Sequence, residues 1–243
     1  MRMRRVHMPR QVEPLLRRIG EIAGDRRMRA YAVGGCVRDW CLGVAHTKDL
    51  DVTVEGRGID LARAVSRALG GRVEAHEQFG TATVFRDGRG GRRVDFATCR
   101  TEVYARPAAY PRVTPGTLET DLFRRDFTIN AMAASLDPSR FGALMDPFHG
   151  AQDLRGKRLR ILHPRSFLDD PSRILRGVRF ATRFNLRWER RTERAAREAI
   201  AAGALGWLNA GRLRRELERM GAEPDPRACL HALAALLGDA SRS

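Results

Sequence analysis

Two carboxylates stand one residue apart at the start of a segment in which polar and apolar residues alternate. Asp49 and Asp51 flank Leu50, and the alternation over 49–55 predicts a strand. Because successive side chains of a strand point to opposite faces, the two carboxylates share one face, about 7 Å apart along the backbone. Such a pair can bind Mg²⁺ together with substrate phosphates, and two Mg²⁺ ions can stabilise an in-line displacement. Alone, the pattern also fits two solvated aspartates at an exposed strand end.

Two glycines lie about fifteen residues earlier, where a short apolar strand predicted over 30–33 runs into a helix predicted over 36–42. Gly34 and Gly35 lack a Cβ atom, so backbone N–H groups can approach a phosphate closely, and the helix N-terminus adds positive charge. Arg38, one turn into the helix, can reach the same anion. The segment has neither the Walker loop nor the GxGxxG pattern, so it indicates a different nucleotide site or an ordinary tight turn.

A third carboxylate, Asp95, lies in a strand predicted over 92–98. If that strand neighbours 49–55, Asp95 can take a proton from an attacking hydroxyl or help to hold a metal ion. The alternative is an exposed aspartate that pairs with a nearby arginine.

A cation and a carboxylate, Arg125 and Asp126, lie within the segment Arg124–Ala131, which reads as the opening of an apolar helix. Arg125 can hold a phosphate, and Asp126 can accept a hydrogen bond from a ribose hydroxyl. The alternative is that Asp126 is only the helix cap.

A row of arginines follows two consecutive carboxylates later in the chain. Pro171 suits the first turn of a helix that Asp170 caps. Arg173, Arg176 and Arg179 follow at three-residue spacing, which places them along one side of that helix. Such a row is usually a solvated face, but here it also suits an anion site beside a pair that reads a nucleobase.

The elements that must position these residues divide the chain near residue 160. Before it, the sequence predicts helices at 10–23 and 59–69 and further strands at 81–86 and 92–98, with Gly88, Gly90 and Gly91 in the turn between those strands. The segment 100–120 is rich in proline and predicts a long mobile loop. After residue 164 the spacing predicts only helices, at 170–184, 189–202, 210–220 and 226–237, and no strand. We therefore predict an α/β (α+β) domain with a small mixed sheet over residues 1–160 and an all-helical domain over residues 161–243.

The overall composition favours an intracellular protein with a polyanionic partner. Lys and Arg number 45 against 29 Asp and Glu, a net charge of +16, and hydrophobic residues make up 43%, which excludes a mostly disordered chain. No apolar run approaches the roughly 18 residues of a membrane-spanning helix. Residues 1–10 lack the apolar stretch of a secretory signal, so we expect a cytoplasmic location and no membrane partner.

The cysteines form no CxxC pair and have no zinc-type spacing. We therefore expect reduced core thiols with no disulfide partner. The four cysteines are Cys36, Cys41, Cys99 and Cys229.

Taken together, the motifs resemble the class II nucleotidyltransferases of the polymerase β superfamily. This group contains the bacterial-type tRNA nucleotidyltransferases, which add CCA, CC or A, and the bacterial poly(A) polymerases. The resemblance covers roughly residues 30 to 220 and rests on five segments that occur in the family's order. They are Gly34 to Asp39, Asp49-Leu50-Asp51, Arg124 to Ala131, Asp146-Pro147 with Gly150 and Asp153-Leu154, and Asp170 to Arg176 with Arg179-Phe180.

The resemblance implies a catalytic head followed by a helical neck, and a reaction. The 3′-hydroxyl of a tRNA would attack the α-phosphate of CTP or ATP with the help of Mg²⁺ and without a nucleic-acid template. It also implies residue roles: Asp49 and Asp51 for the metal, Gly35 and Arg38 for the incoming nucleotide, Arg125 and Asp126 for triphosphate and ribose, Asp170 and Arg173 for the base, and Arg176 and Arg179 for triphosphate and structural contacts. Asp95 as a catalytic residue and Gly34 as a nucleotide contact remain predictions from the residue pattern alone. An aspartate accepts from the exocyclic amino group of C or A and an arginine donates to ring acceptors, each good pair giving about 1–3 kcal/mol of discrimination.

This chain departs from the family pattern in two ways, and the first leaves the added nucleotides open. CCA-adding members often carry Glu-Asp before the base-reading arginine, whereas this chain has Asp169-Asp170, and the following Pro171 is common in A-adding, CC-adding and poly(A) enzymes. Typical relatives also continue into helical body and tail domains, whereas this chain ends soon after the helix predicted at 226–237. We therefore expect a head-and-neck core whose positive surface supplies more of the RNA affinity, with steep salt dependence.

Three other functions stay open on the sequence alone. The first is a bacterial poly(A) polymerase, and the second is a non-catalytic RNA-binding relic. The third is a nucleotidyltransferase that modifies small molecules, although such an enzyme needs neither the row of arginines nor the high positive charge.

Overall fold

A computed structural model describes residues 4–45, 49–86 and 92–240 of the chain. The chain forms two compact units. The first comprises Met1–Thr101, Val113–Arg125 and Asn130–Ala151, and the second comprises Glu102–Arg112, Asp126–Ile129 and Gln152–Ser243. Both units are discontinuous in sequence, whereas the predicted division at residue 160 is a single point, so that domain boundary stays a prediction.

A seven-stranded mixed sheet forms the centre of the first unit. In chain order the strands up to residue 145 are β1 (Arg29–Val33), β2 (Asp49–Glu55), β3 (Arg72–His76), β4 (Thr81–Arg86), β5 (Arg92–Thr98), β6 (Arg100–Val103), β7 (Arg112–Pro115), β8 (Ala133–Ser135) and β9 (Leu144–Met145). The sheet order is β3-β4-β5-β2-β1-β8-β9, in which β2 and β5 are parallel and all other neighbours are antiparallel. This architecture confirms the predicted fold class. The strands predicted over 49–55, 81–86 and 92–98 agree with β2, β4 and β5.

Helices pack against this sheet through the apolar stripes that the sequence predicts. In chain order the helices up to residue 155 are α1 (Glu13–Gly24), α2 (Gly35–Cys41), α3 (Gly58–Leu69), α4 (Leu118–Phe123) and α5 (Gly150–Arg155). In α1, Leu15, Leu16 and Ile19 are buried, and α1 contacts β1 while α3 contacts β4 and β5. Because β1 is buried along Ala30–Val33, the turn that follows it into α2 is held on a fixed edge of the sheet.

The second unit is built from helices around an aromatic cluster. Its remaining elements are β10 (Arg158–Leu159), α6 (Ser166–Asp169), α7 (Ser172–Phe184), β11 (Arg187–Trp188), α8 (Arg190–Ala201), α9 (Ala210–Gly221) and α10 (Pro226–Ala240). The rings of Phe167, Phe180 and Trp188 surround that of Phe127 at centroid distances of 6.1 to 6.4 Å. A Cβ atom at Gly177 would lie 2.9 Å from Phe127, so only glycine lets α7 approach this cluster closely.

The prediction that no strand follows residue 164 is wrong, because β11 pairs in parallel with β10. A strand of two residues is too short to show alternation in the sequence. The four predicted helices of this part are confirmed as α7 to α10, with ends that differ by up to three residues.

The prediction of a long mobile loop over 100–120 is wrong in part. β6 and β7 pair with each other in a separate two-stranded sheet, and α4 begins at Leu118. Pro107 and Pro111 lie in the connection between the strands, and Pro115 ends β7, so none of the prolines interrupts a strand. This position is where proline is tolerated, at strand ends and edges.

The prediction that the segment Arg124–Ala131 opens an apolar helix is also wrong. The chain forms a short 3₁₀ helix at Thr128–Asn130 and then β8, which pairs with β1 through Tyr31 and Ser135. A continuous apolar run buried on both faces suits an inner strand as well as a helix, and periodicity cannot distinguish them.

Three further predictions concern the cysteines, the turn glycines and membrane-spanning helices. Cys41 is exposed, so the expectation of four core thiols is wrong for this residue; the other three cysteines are buried, and all four are free thiols. The turn glycines 88, 90 and 91 lie outside the described residues. No helix within 4–45, 49–86 and 92–240 has both the length and the apolar composition to cross a membrane.

Candidate active site

The first unit places two predicted carboxylates on one face of β2 and the third on the neighbouring strand β5. Asp49 and Asp51 are exposed on one face of β2, while Leu50 and Val52 point into the core. In the parallel pairing of β2 with β5, Asp51 stands directly opposite Asp95. Neither the Asp49 nor the Asp51 carboxylate has a hydrogen-bond or ion-pair partner among the described residues. The structure therefore leaves the carboxylates of β2 available to a ligand.

The electrostatic environment of Asp51 disfavours its negative charge. Its side chain reaches solvent, yet the surrounding protein removes enough water to raise the pKa of Asp51 above its usual value. Arg125 lowers this pKa, but repulsion from Asp95 and Asp49 raises it again. A bound cation would oppose this repulsion and favour the ionised form of Asp51.

Asp95 also has partners of its own. Its Oδ1 atom accepts a hydrogen bond from Thr83 Oγ1 at 2.5 Å, and its Oδ2 atom lies 2.9 Å from Arg93 Nη2. The structure thus combines the two sequence-based alternatives, since Asp95 lies beside Asp51 and is also paired with an arginine.

The donor set of β2 suits a magnesium ion that binds together with a phosphate. Among residues 4–45, 49–86 and 92–240, no three His, Cys, Asp or Glu side chains are grouped closely enough to hold a metal ion by themselves. Mg²⁺ is usually held by one or two carboxylates, with substrate phosphates and water completing its octahedron. Asp49 and Asp51 supply these two carboxylates on one face, so the residues fit Mg²⁺ carried with a nucleotide.

The glycine turn lies beneath two guanidinium groups. Gly34 has a φ of +73°, and a Cβ atom there would lie 2.7 Å from Arg125 Nη1. A Cβ atom at Gly35 would lie 3.6 Å from Arg38 Nη2. Burial first, and then the charge of Asp51, raise the pKa of the Cys36 thiol, at the start of α2, to about 12. The turn, the two cations and Asp51 are therefore close neighbours in the first unit.

Two residues that sequence reasoning missed hold these guanidinium groups in place. Arg38 donates to Asn130 Oδ1 at 2.6 Å, and also to Asp39 Oδ1 at 2.8 and 2.9 Å. Arg125 pairs with Asp121 at 3.1 Å. Asn130 lies 92 positions from Arg38, so no local spacing links them.

Asp121 is fully buried and also pairs with Arg124, at 2.7 Å. Burial raises the pKa of Asp121, but Arg125 and Arg124 outweigh burial and hold the pKa below its usual value. The spacing of three and four residues from Asp121 to the two arginines is the helical spacing of ion pairs, so this partner could have been found in the sequence.

In the second unit, Asp126 is the ion-pair partner of Arg176. Asp126 Oδ2 accepts from Arg176 Nε at 2.8 Å and from Nη2 at 2.5 Å, and Asp126 Oδ1 accepts from the N–H of Phe127 at 2.8 Å. Asp126 chiefly raises the pKa of Arg176, and Glu216, 3.8 Å away, adds to the effect. Asp126 therefore does not cap an α-helix as the sequence suggested; it fixes the position of Arg176 on α7.

The predicted base-reading pair, Asp170 and Arg173, lies at the start of α7. Asp170 Oδ1 accepts from the N–H of Ser172 at 3.0 Å and from its hydroxyl at 2.5 Å. Asp170 Oδ2 lies 4.0 Å from Arg173 Nε, and Arg173 Nη1 donates to Ser166 Oγ at 2.7 Å. The arrangement presents a carboxylate oxygen next to a guanidinium group, which is the donor and acceptor set predicted for reading a base.

Arg212 is a further neighbour of Asp170 that sequence reasoning missed. Arg212 Nη2 donates to Asp170 Oδ1 at 2.5 Å, and Nη1 donates to the Ala108 carbonyl at 3.3 Å. The Arg212 guanidinium also lies 5.8 Å from the centre of the Tyr110 ring. Because Arg212 lies 42 residues after Asp170, nothing in the local sequence pattern links them.

Arg179, the last arginine of the row, is buried and pairs with Glu223 at 3.0 Å. Glu223 also lies 3.6 Å from Arg183. These pairs connect α7 to the turn before α10, which matches the structural part of the role implied for Arg179. Its contact with a triphosphate stays a prediction.

The sequence matches a known family and several curated proteins. Residues 30–160 match the family described as Poly A polymerase head domain. The chain is 43% identical to the A-adding tRNA nucleotidyltransferase of Halalkalibacterium halodurans over 92% of its own length and 54% of the relative. It is 47% identical to the A-adding tRNA nucleotidyltransferase of Aquifex aeolicus over 79% of its length and 23% of the relative. The CC-adding enzyme of Deinococcus radiodurans is 37% identical, over 80% of this chain and 50% of that protein. The chain thus spans about half the length, or less, of these relatives.

Solved structures agree with the sequence matches. An apo form of a CCA-adding enzyme superposes on 97% of this chain and 57% of its own, with a TM-score of 0.90 and 39% identity. The Thermotoga maritima CCA-adding enzyme complexed with tRNA covers 97% of this chain and 55% of its own, with a TM-score of 0.84 and 38% identity. At these identities the likeness extends beyond the fold to the family.

Proposed function

The chain belongs to the poly(A) polymerase head-domain family, and on that premise we propose that it is a tRNA nucleotidyltransferase. The 3′-hydroxyl of the RNA attacks the α-phosphate of ATP or CTP, pyrophosphate leaves, and the chain selects the base without a nucleic-acid template. The relatives named above carry this activity in their names. A tRNA substrate implies a cytoplasmic location.

The observation that carries the proposal is the group of Asp49, Asp51 and Asp95 next to the glycine turn. Two carboxylates on one strand face a third on the neighbouring parallel strand, and two guanidinium groups lie over Gly34 and Gly35. Anionic and cationic groups that alternate over a few ångströms suit a metal-bound triphosphate, because phosphate oxygens need both cations and backbone donors.

Each group has a proposed task in the transfer. Asp49 and Asp51 hold Mg²⁺, which when bound stabilises the charge that develops on the attacking and leaving oxygens. Arg38 and Arg125 bind the phosphates, held in place by Asn130 and Asp121. Asp95, oriented by Thr83 and Arg93, lies next to Asp51, where it can accept the proton of the attacking hydroxyl.

Base selection is assigned to Asp170 and Arg173 of the second unit. Asp170 Oδ1 is already occupied by Ser172 and Arg212, so Oδ2 is the oxygen that accepts from the exocyclic amino group of C or A. Arg173 donates to a ring acceptor of the same base. Asp126 and Arg176 support this helix through their ion pair and contribute to the binding of ribose and triphosphate.

We expect the added nucleotide to be A. Three curated relatives at 42 to 47% identity are named A-adding, and the Asp-Asp-Pro sequence at 169–171 agrees with such enzymes. The family description also includes poly(A) polymerase, which adds many adenosines and is the second function to be tested.

The decisive experiment gives the purified protein tRNAs that lack the last one, two or three nucleotides, each with a single nucleoside triphosphate. Addition of one A to tRNA that ends in CC is the expected result. A long ladder of adenosines would assign the protein to the poly(A) polymerases, and addition of C would assign it to the CC- or CCA-adding enzymes. No addition by folded protein with any substrate would contradict the proposal.

The base-reading role has its own test. Asp170→Ala and Arg173→Ala should reduce selection of ATP and CTP over UTP more than they weaken RNA binding, because each removes a pair worth about 1–3 kcal/mol of discrimination. Ser139→Ala, an exposed change in the first unit, serves as the control. Unchanged selection in both variants would contradict the assignment of this pair.

A further inference from the structure

A cluster of exposed cations lies on the second unit, apart from the row of arginines on α7. We call Lys157, Arg187, Arg190, Arg191 and Arg194 the basic surface; all five are exposed. None of its four guanidinium groups has a hydrogen-bond or ion-pair partner among the residues that the structure describes. The other arginines considered above differ in this respect, because Arg176 and Arg179 are each paired with a carboxylate.

The cations of the basic surface are held together by local structure. Arg187 in β11 donates its backbone N–H to the Lys157 carbonyl at 2.8 Å, so the two residues are adjacent. Arg190 and Arg194 are four residues apart on α8, and Arg191 and Arg194 are three apart, which are the spacings of neighbours on a helix surface. The basic surface thus combines two neighbouring residues of the β10–β11 pair with three neighbouring arginines of α8, and Glu189 and Glu193 are the carboxylates closest to them in the sequence.

Two features of this surface are unfavourable in the absence of a bound anion. The register of β10 with β11 places Arg187 directly opposite Arg158, and like charges at opposed positions repel each other. Asp153 balances the charge of Arg158 at 3.2 Å, but no described residue balances that of Arg187.

The second unfavourable feature is the position of the cations on α8. Arg190 and Arg191 occupy the first turn, where the helix dipole disfavours positive charge, although Glu189 at the N-cap and Glu193 in the first turn offset part of this effect. A polyanion bound at this surface would remove both the repulsion between the arginines and the conflict with the dipole.

We propose that the basic surface binds the phosphate backbone of paired RNA, as in the duplex stem next to the 3′ end of a tRNA. This inference rests on the proposed function for the identity of the RNA. Arginine forks bind phosphate oxygens through two parallel hydrogen bonds. None of the five residues is aromatic, so the surface lacks the aromatic platforms typical of sites for unpaired bases, and its positive charge suits the phosphates of paired RNA.

The test measures RNA binding directly, without nucleotide. The probes are an RNA hairpin with an unpaired CC end and a single-stranded RNA of equal length, titrated at several salt concentrations. The variant Arg187→Gln/Arg191→Gln/Arg194→Gln should bind the hairpin about tenfold or more weakly, and the slope of log affinity against log salt should be smaller by about 3. The single-stranded RNA should lose less affinity.

The control variant removes the same charge elsewhere. Arg10, Arg67 and Arg140 are exposed arginines of the first unit, and their triple change to Gln should leave the salt slope near that of the wild type. Both variants should unfold at temperatures no lower than the wild type, which shows that they are folded. At saturating tRNA, the basic-surface variant should keep its kcat while its KM for tRNA rises.

Three results would overturn the inference: an unchanged salt slope in the basic-surface variant, an equal loss in the control variant, or a loss confined to the single-stranded RNA. If the wild type adds no nucleotide, the proposed function fails, but the binding measurements still decide whether this surface holds paired RNA. The two failures are therefore distinguishable.

Discussion

Two groups of carboxylates in this chain are neutralised to very different extents. At the start of β2, Asp49 and Asp51 have no partner among the described residues and lie beside a third carboxylate. On and around α7, Asp126, Asp170 and Glu223 each have an arginine nitrogen within 3.0 Å. The two carboxylates of β2 form no ion pair with a described residue, although Arg125 lies near Asp51, whereas each carboxylate of the second group is paired.

The contrast separates a ligand site from a framework. Burial first, and then repulsion from Asp95 and Asp49, oppose ionisation of Asp51, so a bound cation would favour its charged form. The charges of the α7 pairs already have their partners without any ligand. Residue type alone does not make this distinction, since both groups contain aspartates near arginines.

The largest expected effect is the loss of activity on removing a charge from β2. Asp51→Asn should reduce nucleotide addition by about 10³-fold or more, because a metal ligand supplies several kcal/mol of transition-state stabilisation. The melting temperature should not fall, because the variant relieves repulsion by Asp49 and Asp95. Magnesium should raise the melting temperature of the wild type in the presence of nucleotide, and should not raise that of the variant.

The matched control is Asp60→Asn, which removes a half-buried carboxylate of the first unit that pairs with Arg57. This control should keep both activity and the response to magnesium. Near-normal nucleotide addition by Asp51→Asn would contradict the assignment of the metal to β2.

An effect on stability should come from the α7 group. Glu223→Gln should lower the free energy of unfolding by about 3 kcal/mol, because it leaves the buried charge of Arg179 without its partner. Removing both charges, as in Arg179→Met with Glu223→Leu, should recover most of that loss. Denaturant unfolding of the two variants and the wild type measures the difference.

The double variant also tests the contact of Arg179 with the triphosphate. If the pair is only structural, the double variant should keep its KM for the nucleotide. A double variant as unstable as the single one would show that the pair does not contribute through charge neutralisation.

The smallest expected effects are opposite pH dependences of stability at two aspartates of the first unit. The pKa of Asp51 is raised on folding, so its ionisation costs stability, and this cost appears as the pH rises from about 3.9, the unfolded value. The pKa of Asp121 is lowered, so its contribution is complete above that value and is lost as the pH falls through the folded pKa.

The corresponding Asn variants should therefore diverge from the wild type as the pH rises. Asp51→Asn should become relatively more stable as the pH rises, and Asp121→Asn relatively less stable by about 1–3 kcal/mol at neutral pH, because Arg124 and Arg125 lose a charged hydrogen-bond partner. Unfolding measured between acidic and neutral pH tests both. Parallel curves for the two variants would remove the distinction between an unpaired and a paired carboxylate.

Sequence reasoning succeeded where the pattern is local. The alternation over 49–55 predicted β2 and the shared face of Asp49 and Asp51, because the period of a strand is fixed by its backbone. It failed for β8, whose continuous apolar run has no period that excludes a helix, and for β6 and β7, whose short strands flank a connection that contains two prolines.

The amino-acid sequence by itself determined which chemical groups share a strand or helix face, because those relations depend on a few neighbouring residues. Only the tertiary structure decided that Asp95 lies beside Asp51, that Arg212 reaches Asp170, and that no described residue neutralises the β2 carboxylates. Asp170 and Arg212 lie 42 positions apart in the sequence, and Asp51 and Asp95 lie 44 positions apart. Strand register and helix packing set them, and no local periodicity encodes either one.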